Sequence, residues 1–114
     1  MITWPAIIKF VGDEELSFIG SQSDWESDAD LNRYHYDQAD LLIDTTGAIY
    51  SLTQLNNGVV TPKATGETIG LPTLTNLVRA HASGLGNCCV SKLGFYSIAE
   101  AVASVKGFND FGVA

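Results

Sequence analysis

Hydrophobic positions along the chain recur first with the period of strands and later with that of helices. Ile2, Trp4, Ile7, Ile8, Phe10 and Val11 cluster around Pro5, a β-branched and aromatic run that predicts a strand entered at a proline. Gly12-Asp13-Glu14 reads as a turn, and Glu15–Gly20 returns as a second strand in which Leu16 and Phe18 alternate with Glu15 and Ser17. Residues 21–32 are polar and acidic, with Trp25 and Leu31 as their only large apolar side chains, and are expected to form a loop or one to two helical turns capped by Ser23 or Asp24. Tyr34 and Tyr36 fall on one side of the segment leading out, if it is extended.

The clearest local pattern is Asp40–Leu52. Leu41, Leu42 and Ile43 precede Asp44-Thr45-Thr46-Gly47, and Ile49–Leu52 follow. An aspartate at the head of a turn accepts the amides that follow it, and a glycine three residues on supplies a left-handed residue, so a hairpin on a type I turn is predicted. Asn56-Asn57-Gly58 is a second turn, Val59–Thr61 a short strand stopped by Pro62, and Lys63–Gly70 a connecting loop.

Beyond it the period changes. Leu74, Leu77, Val78 and His81 lie on one face of a helix over 72–83, with Pro72 at its start and Gly84 at its end. Residues 86–96 fit either a buried strand or an irregular link. Ser97-Ile-Ala-Glu100 is a capping box opening a helix over 97–106, with Ile98, Ala101, Val102 and Val105 as its stripe and Gly107 as its stop. Phe108 and Phe111 are expected to dock on the domain. The fold class that follows is α+β: an antiparallel sheet of four to five strands over 2–61, with the two helices packed on one face.

At 114 residues and 46% hydrophobic content this is one domain with a substantial core, needing neither disulfide nor metal to fold. Charge is segregated. Residues 1–57 hold ten acidic side chains against Lys9 and Arg33, whereas residues 58–114 hold three against four basic ones. An acidic front half disfavours nucleic acid and anionic membrane and also keeps a small protein dispersed. The N-terminal residues lack the basic and small-residue signals of a secretory leader, no apolar run reaches membrane-spanning length, and the adjacent Cys88 and Cys89 do not form a disulfide framework. A reducing cytoplasm is the expected compartment.

No catalytic signature assembles. Asp24, Glu26, Asp28 and Asp30 alternate as in a calcium loop, but an EF-hand loop opening at Asp24 would need glycine where Ala29 stands and glutamate where His35 stands. His35, His81, Cys88 and Cys89 lack the paired short spacings of zinc sites, so no metal or other cofactor is expected. Cys88 or Cys89 with His81 is the sharpest nucleophile and base pair, with Asn87 and nearby glycines as oxyanion donors. The apolar neighbours Leu85, Val90 and Leu93 favour quiet core thiols instead. Ser83 lies outside a nucleophile elbow, and the glycines at 66, 70, 84 and 86 match no phosphate-binding loop. Trp4, Trp25, Tyr34, Tyr36 and Tyr50 have no basic residues interleaved, and read as core and rim.

The run Trp4-Pro-Ala-Ile-Ile8, Asp13-Glu-Glu-Leu16, Trp25 and Leu42–Leu52 resembles a family of small uncharacterised bacterial proteins, a domain of unknown function of about this length. The resemblance implies a stand-alone bacterial cytoplasmic protein and carries no activity or site residues with it. The function expected is that of a non-enzymatic accessory domain that binds another protein through a sheet edge or an acidic face that includes Asp24, Trp25, Glu26, Asp28 and Asp30. The alternatives are a small thiol enzyme centred on Cys88, Cys89 and His81, and an acidic mimic of nucleic acid.

Overall fold

The computed structural model describes residues 1–87 and 92–111. Its centre is a five-stranded antiparallel sheet of β1 (Ala6–Lys9), β2 (Leu16–Ile19), β3 (Leu41–Asp44), β4 (Ala48–Ser51) and β7 (Lys63–Thr68), in the order β2-β1-β3-β4-β7. The register sets Ile7 opposite Phe18 on one side and Ile43 on the other. The two central strands, Ala-Ile-Ile-Lys and Leu-Leu-Ile-Asp, are near-continuous apolar runs because both of their faces are covered.

One face carries α3 (Leu71–Gly84) and α4 (Ile98–Phe111). Leu74 and Val78 from α3 meet Ala101, Val102 and Val105 from α4 over Ile7, Leu16 and Ile43. The stripe read from the sequence is the buried one, and the Ser97 hydroxyl accepts the Glu100 amide at 3.1 Å, as a capping residue should. The helix runs through Gly107 instead of stopping there; a glycine weakens a helix without forbidding it.

The opposite face is covered by short pieces: α1 (Gln22–Ser27), α2 (Ala29–Asn32), the N-terminal residues and a small separate hairpin of β5 (Leu55–Asn56) and β6 (Val59–Val60). Trp25, Leu52 and Val60 close it over Ala6, Ile8, Leu42 and Tyr50. Asn57 and Gly58, with φ of 54° and 80°, make the two-residue turn of this hairpin. The N-cap of α1 is Ser21, whose hydroxyl accepts the Asp24 amide, so the helix starts earlier than a cap at Ser23 or Asp24 would place it.

Lys63–Thr68 is the main departure. The segment read as a loop is the edge strand β7, exposed along its length and paired to β4. Its bulge hid it. The Thr65 hydroxyl donates to the Ile49 carbonyl and accepts the Glu67 amide, while Gly66 takes φ of 82°. Polar and glycine residues that look like loop are here the parts of an irregular strand.

Candidate functional site

Two buried aspartates bracket β3 and hold β1 at both ends. Beyond one end of β1, one Asp44 carboxylate oxygen accepts the Thr3 amide at 3.0 Å. The other accepts the Thr46 amide at 2.9 Å, the Thr46 hydroxyl at 2.6 Å and the Ala48 amide at 3.1 Å. Past the other end of β1, Asp40 accepts the Val11 and Asp37 amides, each at 2.7 Å. Burial pushes the Asp44 carboxyl up, but the bonds from Thr3, Thr46 and Ala48 outweigh it and hold the group below its ordinary range. Tyr50, beside Asp44, has its hydroxyl pushed up, first by burial and then by the Asp44 charge; that hydroxyl donates to the Met1 carbonyl at 2.8 Å. This is a carboxylate engaged by three backbone amides and one hydroxyl, a structural role in the turn and at the end of β1.

His81 is equally committed. It is 1% exposed on α3, and its Nδ1 accepts the Leu16 amide at 2.9 Å, fixing the start of β2 to the helix. The ring nitrogen that makes this bond cannot at the same time serve as a general base. Cys88 and Cys89 lie outside the described residues. A notch of about 330 Å³ beside His81 is lined by Gly12, Asp13, Glu14, Glu15, Gly84 and Leu85. Among the described residues, no group of three or more histidine, cysteine or acidic side chains is arranged to hold a metal ion.

Three of the four acidic residues of 24–30 are gathered at one concavity. Asp24, Ser27, Asp28, Ala29 and Asp30 line an open concavity of about 460 Å³ formed where α1 turns into α2. Asp28 builds the turn, its carboxylate accepting the Leu31 amide at 3.2 Å as the cap of α2. Glu26 is exposed and accepts from the Gln22 side chain at 3.1 Å. Trp25 does not join them. Its ring is 4% exposed and sits in the core, so it holds α1 down and offers no contact surface. Asn32 finishes the arrangement: its side-chain amide donates to the carbonyls of Trp25 and Glu26 at 3.0 and 3.1 Å, closing the end of α1.

Beside this concavity stands an aromatic triad that the alternation Tyr34-His35-Tyr36 only hinted at. Phe10 and Tyr36 stack with ring centres 5.9 Å apart, and Tyr34 stands edge-on to both, at 5.7 and 4.8 Å. The Tyr36 hydroxyl donates to the Leu31 carbonyl at 2.8 Å, tying the triad to α2. Its ionisation is pushed far up by burial and then by the charges of Asp40 and Asp28, so it stays a neutral donor. Nothing in the sequence linked Phe10 to the tyrosines, since the contact closes across more than twenty residues.

Residues 4–105 match a family model, DUF4144, described as a protein structure with unknown function. Among solved structures, an NMR structure of a protein from Shewanella amazonensis is similar at 25% identity with a TM-score of 0.66, covering 94% of this chain and 90% of that one. No curated protein matches the chain. None of the helices among the described residues is long and apolar enough to cross a membrane.

Proposed function

The chain belongs to the DUF4144 family, whose function is unknown, and from that premise we propose a non-catalytic accessory domain of the bacterial cytoplasm that binds another protein through its acidic α1–α2 face. The observation that carries this reading is how the polar groups are divided. Of the buried ones, Asn32, Asp40, Asp44 and His81 bond to the domain's own backbone. Among the described residues no buried side-chain nitrogen or oxygen lacks a partner. Asp24 and Asp30, by contrast, are exposed together around one concavity, and Glu26 is exposed on α1 near Asp24 in sequence.

The partner that suits such a surface is basic, since complementary charge speeds encounter and rejects acidic competitors. The β7 edge of the sheet is the poorer surface, because its bulge interrupts the row of backbone groups that an added strand would need. The test compares wild type with the triple variant Asp24→Asn, Glu26→Gln, Asp30→Asn, which leaves the Asp28 cap intact. Immobilised wild type should retain basic proteins at low salt and release them as salt is raised, while the variant retains few. Equal retention by both proteins, or retention indifferent to salt, overturns the reading.

A further inference from the structure

The aromatic triad beside the acidic concavity has a composition that selects one kind of cation. Tyr34 is 48% exposed although its ring packs against two others, and Val11, next to Phe10 in sequence, is 55% exposed. Exposed aromatic and apolar surface of this kind is costly to leave in water, and Tyr36 needs only its own hydrogen bond and Phe10 to be anchored. Charge surrounds the rings on one side. Asp28 lines the concavity and accepts the Leu31 amide, while the Tyr36 hydroxyl donates to the Leu31 carbonyl, so the acidic surface and the rings meet at one residue of α2. Asp40, next to Val11 and Asp37, has both of its oxygens held by their backbone amides.

We propose that the Phe10–Tyr34–Tyr36 surface receives arginine side chains of the basic partner, the guanidinium stacking on the Tyr34 ring while Asp28 and its neighbours face the charge. This rests on the acidic-face reading and deepens it. A guanidinium is planar, weakly hydrated and able to stack on an aromatic ring while keeping its edge donors for carboxylates; a lysine ammonium is a compact, strongly hydrated charge that gains less from a ring. The acidic residues alone would treat the two nearly alike, so the rings are what make the surface distinguish them. The rings pack directly on one another with no cage between them, so the occupant lies across the surface and does not enter it.

The probes are a fluorescent oligoarginine peptide and an oligolysine peptide of equal length, titrated at about 50 mM salt, where surface charges are only partly screened. Wild type should bind the arginine peptide about two- to five-fold more tightly, the range that exposed cation–π contacts supply. Tyr34→Ala should abolish that preference while leaving lysine-peptide affinity in place, and Tyr34→Phe should keep it. Ring-proton resonances of Phe10, Tyr34 and Tyr36 should shift with the arginine peptide and not with the lysine peptide, a measurement that needs no variant. Equal affinity for both peptides in wild type, or a preference that survives Tyr34→Ala, overturns the aromatic inference and leaves the acidic face standing. Binding of neither peptide overturns both.

Discussion

The two faces of the sheet are buried by different physics. On the helical face, two 14-residue helices lay continuous apolar stripes on Ile7, Leu16 and Ile43, and the core there is built of aliphatic carbon. On the other face the cover is made of helices of six and four residues and a two-by-two-residue hairpin. Pieces that short cannot hold their own conformation. They are held by side chains reaching backbone groups, Asp44 to Thr3, Asp40 to Val11, Asn32 to α1 and Tyr36 to Leu31, and by the Trp4 indole donating to the Gln22 side chain. A sheet can thus be covered either by apolar periodicity or by polar stitching, and the stitched side is the one that displays the acidic and aromatic surface.

The comparison predicts losses of different kind on the two sides. Leu74→Ala should cost the most, about 4 kcal/mol, because a fully buried leucine leaves a cavity between α3 and α4. Asp44→Ala should follow at about 3 kcal/mol, from buried amides left without an acceptor. Urea titrations at neutral pH rank them. Acid then separates them by their pH dependence. The Asp44 carboxyl is lowered in the folded state from an ordinary value of 3.8, so its stabilisation is complete above that value and is lost as pH falls through the lower folded-state value. The cost of Asp44→Ala should therefore shrink in acid while that of Leu74→Ala stays level. Parallel behaviour of the two would erase the distinction between the faces.

Gly47→Ala tests the seam where the faces meet and should cost about 2 kcal/mol. Its φ of 89° is unfavourable for any side chain, and an added Cβ would lie 3.1 Å from the Ile69 carbonyl and against the Ile98 side chain of α4. The turn itself matches the reading from sequence, its Gly47 amide bonded to the Asp44 carbonyl at 2.9 Å. A thermal melt unchanged by the substitution would mean that neither the conformation nor the close approach to α4 constrains this residue.

What could be read from the sequence follows the same division. Residues 97–106 and 72–83 announce their helices because a stripe of 3.6-residue period is local information, and the Asp44–Gly47 turn likewise depends only on its own four residues. The stitched face is non-local. That Asp44 would accept the Thr3 amide, or that Phe10 would stack on Tyr36, depends on β1 pairing antiparallel with β3, which no short window contains. Trp25 shows the cost of this: the sequence reads it both among core-and-rim aromatics and on a candidate acidic face, and only the position of α1 over the sheet decides for the core. Asp24 and Asp30 needed no such information to be seen as exposed acids, but their convergence with Asp28 on one concavity did.

The smallest expected effect is the most specific to the stitched face. Asn32→Ala should cost about 1 kcal/mol, removing two donors from the carbonyls of Trp25 and Glu26 that end α1. Asn32→Asp preserves the size of the side chain, yet it replaces the donating amide with a carboxylate that can only accept. Pointed at two carbonyl oxygens beside Glu26 and Asp28, it should cost more than the alanine variant. Trp25 lies in the same helix and reports the local state, so its fluorescence should shift toward that of exposed indole in Asn32→Asp before global unfolding begins. A carboxylate tolerated as well as alanine would mean that packing holds α1 in place, and the two faces would then differ in the length of their elements but not in the forces that fasten them.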